Sequence, residues 1–323
     1  MKRSSLSLLC LGMLAGIAGS GLFESGKVAW AEDVNQNFQL LDRRLAELEQ
    51  AFSPESLAML VEILPHMKVV EHDNGQGQSL KALRFEGINV QIVNGLEATN
   101  GAPLDTGSTS AAVVSTNGLG NLIIGYAEQD PITTAMRTGS HNLVVGIHHG
   151  YSSFGGLVSG EQNTLAAAYT SVVGGQDNTA SDTWASVVGG NGNEAAGFHT
   201  AVVGGLNNLA SGRRSVVLGG AENEASGEVS GVSGGQLNLA QGFASMIAGG
   251  SENLASGSIS TLSGGSLNQA MGYLAVVFGG QVNSASGDRS AVLGGSQNSA
   301  AGTWATVAGG CGITILDSCG SNP

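Results

Sequence analysis

The residues best equipped for covalent or metal chemistry are few and scattered along the chain. His148 and His149 adjoin one another, while His199, Asp182, Glu228 and Asp288 each occur singly. A nucleophile needs a base within hydrogen-bond reach, and a metal needs several ligands that converge. None of these side chains recurs at a fixed interval or pairs with another, so they read as solvated turn residues. The sequence predicts no enzyme, no cofactor and no metal site. Cys311 and Cys319 lie eight residues apart with no His or third Cys nearby. In an oxidising compartment such a pair is expected as a disulfide, here closing a cap over residues 311–323.

Binding chemistry is better represented. The dipeptides Thr183-Trp184, Phe198-His199, Arg213-Arg214, Glu228-Val229, Phe243-Ala244, Ser258-Ile259, Tyr273-Leu274, Asp288-Arg289 and Thr303-Trp304 recur every fifteen residues at the most variable point of a repeat. The whole chain is only 5% aromatic. Trp, Tyr and Arg are the types that dominate contact energy at interfaces. The candidate partner-binding ridge is therefore Trp184, Phe198, His199, Arg213, Arg214, Phe243, Tyr273, Arg289 and Trp304, although turns free of constraint vary in the same way.

A strict repeat positions this ridge. Gly-Gly recurs from Gly174-Gly175 to Gly309-Gly310, and an Asn follows three residues later from Asn178 to Asn298. A unit of fifteen residues cannot enclose a core alone, so successive copies must stack as coils of a parallel β-roll. Val172, Val187, Val202, Val217, Val232, Ile247, Leu262, Val277, Val292 and Val307 form an aliphatic column. The residue two places earlier in each copy is always Ala, Ser or Thr. With the first Gly of the pair, these are expected on one inward face of a short strand. The Ala of Asn-x-Ala-Ser-Gly marks a second inward position, and the Gly residues mark corners where positive φ or close backbone approach is needed. The Asn column predicts amides that stack between coils or satisfy turn backbone groups. Calcium-binding rolls would need an Asp ladder there, and hexapeptide helices a multiple of six.

The outward column, Val173, Val188, Val203, Leu218, Ser233, Ala248, Ser263, Phe278, Leu293 and Ala308, is mainly apolar. Burying one Val yields roughly 1.5–3 kcal/mol, against about 1.5 kcal/mol to order one residue. So thin a coil needs this second face covered, and self-association is expected. The N-terminal segment, residues 32–67, points the same way. Val34, Phe38, Leu41, Leu45, Leu48 and Phe52 are spaced as a heptad seam, and Ser53-Pro54 ends that helix and starts a second. An amphipathic helix packed on its own domain is the alternative.

Ahead of the seam, Met1-Lys2-Arg3, an apolar run over residues 6–23 and Ala29-Trp30-Ala31 have the form of an export signal, with the mature chain starting at Glu32. Residues 68–116 are expected as short strands, notably around Ile88, Val90 and Ile92, followed by a loop connector. Residues 117–310 form the roll. The net charge of -13 disfavours nucleic acid as a partner.

The run Ser186-Val187-Val188-Gly189-Gly190 followed by Asn193-Glu194-Ala195-Ala196-Gly197 resembles the YadA-like head repeats of trimeric autotransporter adhesins. The resemblance covers residues 117–310. It implies an all-β, left-handed parallel roll in which three chains pack side by side, attached to coiled coil. No membrane barrel follows before Pro323, so the expectation is a head without its own anchor. The implied function is that of a secreted or cell-surface homotrimer, adhesin-like or structural, with the periplasm as the alternative location. Its partner would be a host, matrix, glycan or cell-surface component. A β-solenoid enzyme and an ice- or ligand-binding solenoid are the alternatives, the ice reading lacking a column of Thr.

Overall fold

The computed structural model describes residues 31–51, 54–129 and 135–322. Residues 1–30 of the proposed signal, which spans residues 1–31, and Phe52 of the seam lie outside them. The chain divides into two units at Val90 and Gln91. In the first, helix α1 (Ala31–Ala51) and helix α2 (Pro54–Ile63) precede an antiparallel hairpin of β1 (Met67–Asp73) and β2 (Ser79–Phe85). Val34, Phe38, Leu41, Leu45 and Leu48 all fall within α1, and the side chains of Phe38, Leu41 and Leu45 are exposed. No helix among the described residues is long and apolar enough to cross a membrane.

The alternation at Ile88, Val90 and Ile92 does not produce a strand. Strands need a partner edge as well as a pattern, and the hairpin satisfies itself. The N–H of Glu86 closes it on the carbonyl of His66 at 2.8 Å. The two flanking apolar runs, residues 67–70 and 80–85, carried the pairing instead.

The second unit is a parallel β-solenoid. From β3 (Leu122–Ile124) and β4 (Leu143–Ile147) onward, each coil contributes one short strand to a 14-stranded sheet, and most contribute a second to a 12-stranded sheet. Register is perfect: Val187 pairs with Val172 and Val202, and Ala195 with Ala180 and Ala210. The aliphatic column and the Ala column are wholly buried. Most strands are two residues long, so the inward alternation stops before the glycines.

Here the structure corrects the expectation for Gly-Gly. A Cβ on the first glycine, such as Gly189 or Gly204, would meet nothing. The second is the constrained one. Gly190 has φ +89, and a Cβ there would stand 2.3 Å from the carbonyl oxygen of Gly205 in the next coil. It is the tight corner and the point of closest coil-to-coil approach.

The Asn column forms the spine. Asn193 is buried: its backbone N–H donates to Oδ1 of Asn178 at 3.0 Å, and its Nδ2 donates to the carbonyls of Gly189 (3.1 Å) and Gly205 (3.0 Å). The arrangement repeats at Asn208, Asn223, Asn238, Asn253 and beyond. Each amide thus closes its own turn and ties it to the coil on either side. The ladder ends where the N–H of Ile313 donates to Oδ1 of Asn298 at 3.0 Å.

At its other end stands His149. The preceding coil has fourteen residues, so His149 rather than His148 falls in the column. Its Nδ1 accepts the N–H of Asn163 at 3.2 Å, and its Nε2 lies 3.0 Å from the carbonyl of Val145. These contacts fix a neutral ring with the proton on Nε2. Burial holds its pKa below the usual 6.5, opposed by those backbone bonds and assisted by the Arg137 guanidinium. Nε of Arg137 also donates to the His149 carbonyl at 3.0 Å.

Residues 311–322 do not form a separate cap. Thr314–Ile315 and Ser321–Asn322 continue the two sheets in register. Cys311 and Cys319 are free and exposed, so the expected disulfide within the chain is not made. The reason is topological. Cys311 bridges to Ser296 on the Gly-Gly turn, whereas Cys319 sits on the opposite turn, with Thr314–Ile315 between them.

Asn238→Ala strands the carbonyl of Gly234 and the N–H of Asn253, leaves the Gly250 carbonyl with only the N–H of Gln236, and is expected to cost about 3–5 kcal/mol by urea unfolding. By contrast, the buried hydroxyl of Ser245 has no partner, and Ala185, Ala275 and Ala305 occupy the same column. Ser245→Ala should be neutral or stabilising by about 1 kcal/mol; an equal loss from both changes would refute the assignment. For His149, protonation is penalised in the folded state. Its contribution is therefore full above pH 6.5 and lost as pH falls through 6.5 toward the lower folded value. Hydrogen-exchange protection factors over residues 143–165, corrected for the intrinsic pH dependence of exchange, should fall between pH 7 and 5, and His149→Asn, which restores the ladder amide, should flatten that dependence.

Candidate partner-binding ridge

Each coil makes two turns, and the ridge occupies the one that follows Ala-Ser-Gly. The glycine there, for example Gly212, has no positive φ. A Cβ on it would lie 2.0 Å from the carbonyl oxygen of Gly227, so close approach alone demands it. The left-handed conformation falls instead on the second ridge residue: Trp184 (φ 58), His199 (57), Arg214 (59), Val229 (61), Ile259 (58), Arg289 (57) and Trp304 (62). Left-handed backbone is costly for any side chain with a Cβ, and most of all for Val and Ile. The stack imposes it. The N–H of each such residue donates to a carbonyl of the coil before, as Arg214 does to Phe198 at 2.9 Å and Ile259 to Phe243 at 2.7 Å.

This backbone projects the side chains outward in a line. Tyr169, Trp184 and His199 stack face to face, with centroids 6.0 and 4.7 Å apart and planes within 10°. Phe198 stands edge-on to both Trp184 and His199, and the Arg213 guanidinium lies over it at 5.3 Å while pairing with Glu228. A second cluster sandwiches Arg289 between Tyr273 (5.5 Å) and Trp304 (5.0 Å). Between them run Val229, Ala244, Ile259 and Leu274, with Phe243 exposed beside them.

The proposed ridge residues are thus brought together, but in a manner the sequence did not reveal. Ring faces are covered by neighbouring coils, leaving edges, the guanidinium groups and the aliphatic stretch at the surface. Trp184 retains 41% of its exposure and Trp304 55%. Tyr169, one coil upstream, belongs to the first cluster and was missed because its coil reads Leu165-Ala166-Ala167 in place of Ala-Ser-Gly. Its signal was the fifteen-residue interval to Trp184.

The second surface feature is the outward column of the first strand. Val173, Val188, Val203, Leu218, Phe278 and Leu293 are between 44% and 57% exposed, forming an apolar stripe along the single chain that is interrupted at Ser233, Ala248 and Ser263. Elsewhere, no group of His, Cys, Asp and Glu among the described residues is disposed to hold a metal.

No family model matches the chain, and no curated protein matches it.

Stacking within the ridge has a measurable consequence. Trp184→Ala removes contacts to Tyr169, Phe198 and His199, and should destabilise the solenoid by about 1–2 kcal/mol. A fully exposed Trp projecting into solvent would give no change, which calorimetry or urea unfolding distinguishes.

Proposed function

We propose that the chain is exported and assembles as a homotrimeric β-roll at the cell surface or in the extracellular space, acting as an adhesin-like or structural surface protein and not as an enzyme. The observation that carries this reading is the apolar stripe of Val173, Val188, Val203, Leu218, Phe278 and Leu293. A solenoid whose interior holds little beyond Val and Ala leaves this long apolar face to water as a single chain. Patches of that extent on soluble proteins are interaction sites. The exposed Phe38, Leu41 and Leu45 of α1 support self-association independently. The resemblance of the repeats to trimeric adhesin heads supports three as the number.

On this reading the ridge is the surface offered outward, to a matrix, glycan or cell-surface component. Three-fold assembly repeats each ridge three times, so contacts individually weak combine into avidity.

Light scattering of the purified mature chain at micromolar concentration is expected to give about three chain masses, and Leu218→Asp should shift it toward one. A monomer in the unsubstituted protein contradicts the assembly. Adhesion of the intact trimer to a matrix or glycan surface should fall several-fold when Arg214, Tyr273 and Trp304 are changed to Ala together; unaltered adhesion removes the ridge as the contact.

A further inference from the structure

The two turns of each coil differ in a way that fits one copy against another. Arg213, Arg214 and Arg289 are the only Lys or Arg after residue 137, and all three lie on the ridge turn. Asp177, Glu222 and Glu252 occupy the left-handed position of the opposite, Gly-Gly turn. Glu194 and Glu224 follow on the adjoining second strand. The ridge turn has acids of its own, but Glu228 is paired with Arg213, and a carboxylate oxygen of Asp288 accepts the N–H of Tyr273 at 3.2 Å.

The same two turns carry the thiols. Cys311 stands on the Gly-Gly turn, and Cys319 takes the left-handed ridge position (φ 58) of the same coil. Both are exposed and free. Copies around a three-fold axis meet through unlike patches. Three identical thiols gathered at an axis cannot all pair, because each bond uses two. The pairing between copies that leaves no thiol over joins the Gly-Gly turn of one to the ridge turn of the next.

We propose, resting on the trimeric reading above, that Cys311 of each copy forms a disulfide with Cys319 of the neighbouring copy, closing the three chains into a covalent ring. Two thiols lose two protons and two electrons as the S–S bond forms. An external disulfide of the glutathione class accepts them and leaves as two thiols. By the fifteen-residue register the bond sets Arg214 at the level of Leu206 of the neighbouring copy, one coil from its Glu222 and Glu224, and the ridge then lines a groove between two chains. A partner held there touches both.

The test uses the full mature chain, first in reductant and then in a glutathione redox buffer. Light scattering in reductant establishes the trimer separately; a single-chain mass there overturns the assembly and the bond together. From an intact trimer, a non-reducing denaturing gel is expected to show a three-chain band that reductant abolishes. Cys311→Ser and Cys319→Ser should each remove every cross-linked band, and the two variants unfolded and refolded together should restore two-chain species. Two-chain bands surviving in a single variant would mean like-with-like pairing. A fast-migrating single chain would mean an internal bond, and an uncross-linked intact trimer would mean none. Any of these three results overturns the proposal while leaving the trimer standing.

Discussion

One buried amide per coil sets the terms for everything else in the solenoid. A parallel coil of fifteen residues must turn twice, and each turn leaves backbone groups facing an interior too narrow for water. Asn is suited to this task because it offers both a donor and an acceptor on a short side chain. Its Nδ2 takes the carbonyl of its own turn and that of the next coil, while its Oδ1 receives the following Asn. Asp would lack the donors and Gln would be too long for a cavity this tight. Burial makes each missing bond expensive, so the ladder also fixes register: slipping by one residue would break every amide at once.

Because the spine fixes the backbone, strain elsewhere is tolerated. Val229, Ile259 and Val282 hold left-handed φ values of 61, 58 and 55 that such side chains rarely adopt. They persist because coil-to-coil hydrogen bonds over-determine them. This explains how the ridge can vary freely in chemistry on an invariant scaffold. Inside, the columns admit only Val-sized or smaller groups at most levels; outside, the same coil displays Trp, Arg, Phe or Leu without altering its path. A solenoid with interchangeable surface residues is what the proposed display function would require.

Much of this was legible in the sequence because repetition exposes each column to inspection. The aliphatic column from Val172 to Val307, the Ala column and the role of the Asn column were all readable from spacing. What was not readable depends on three-dimensional detail. The repeat marks Gly189 and Gly190 equally, yet only Gly190 approaches the neighbouring carbonyl. Nothing in the types Trp184 or Val229 announces left-handed backbone, since Gly and Asn are its usual occupants. His149 entered the Asn column because one coil is a residue shorter, a shift that a fixed period conceals. The Cys pair suggested a cap because the repeat motif decays after Gly310, while Ile315 continues the Ala column and the coil goes on. The ridge residues were found as a group by their interval, but not the way their rings cover one another.

The central claim is that the stacked amides hold the coils together as one cooperative unit. Native-state hydrogen exchange tests it most directly, read at the backbone N–H groups of Asn193, Asn208, Asn223 and Asn238, each of which donates to the preceding Asn side chain. The account predicts that these exchange only through global unfolding, with a single shared free energy, and that Asn223→Ala lowers protection at all of them together. Exchange of these amides at differing rates, or loss confined to the altered coil, would contradict it.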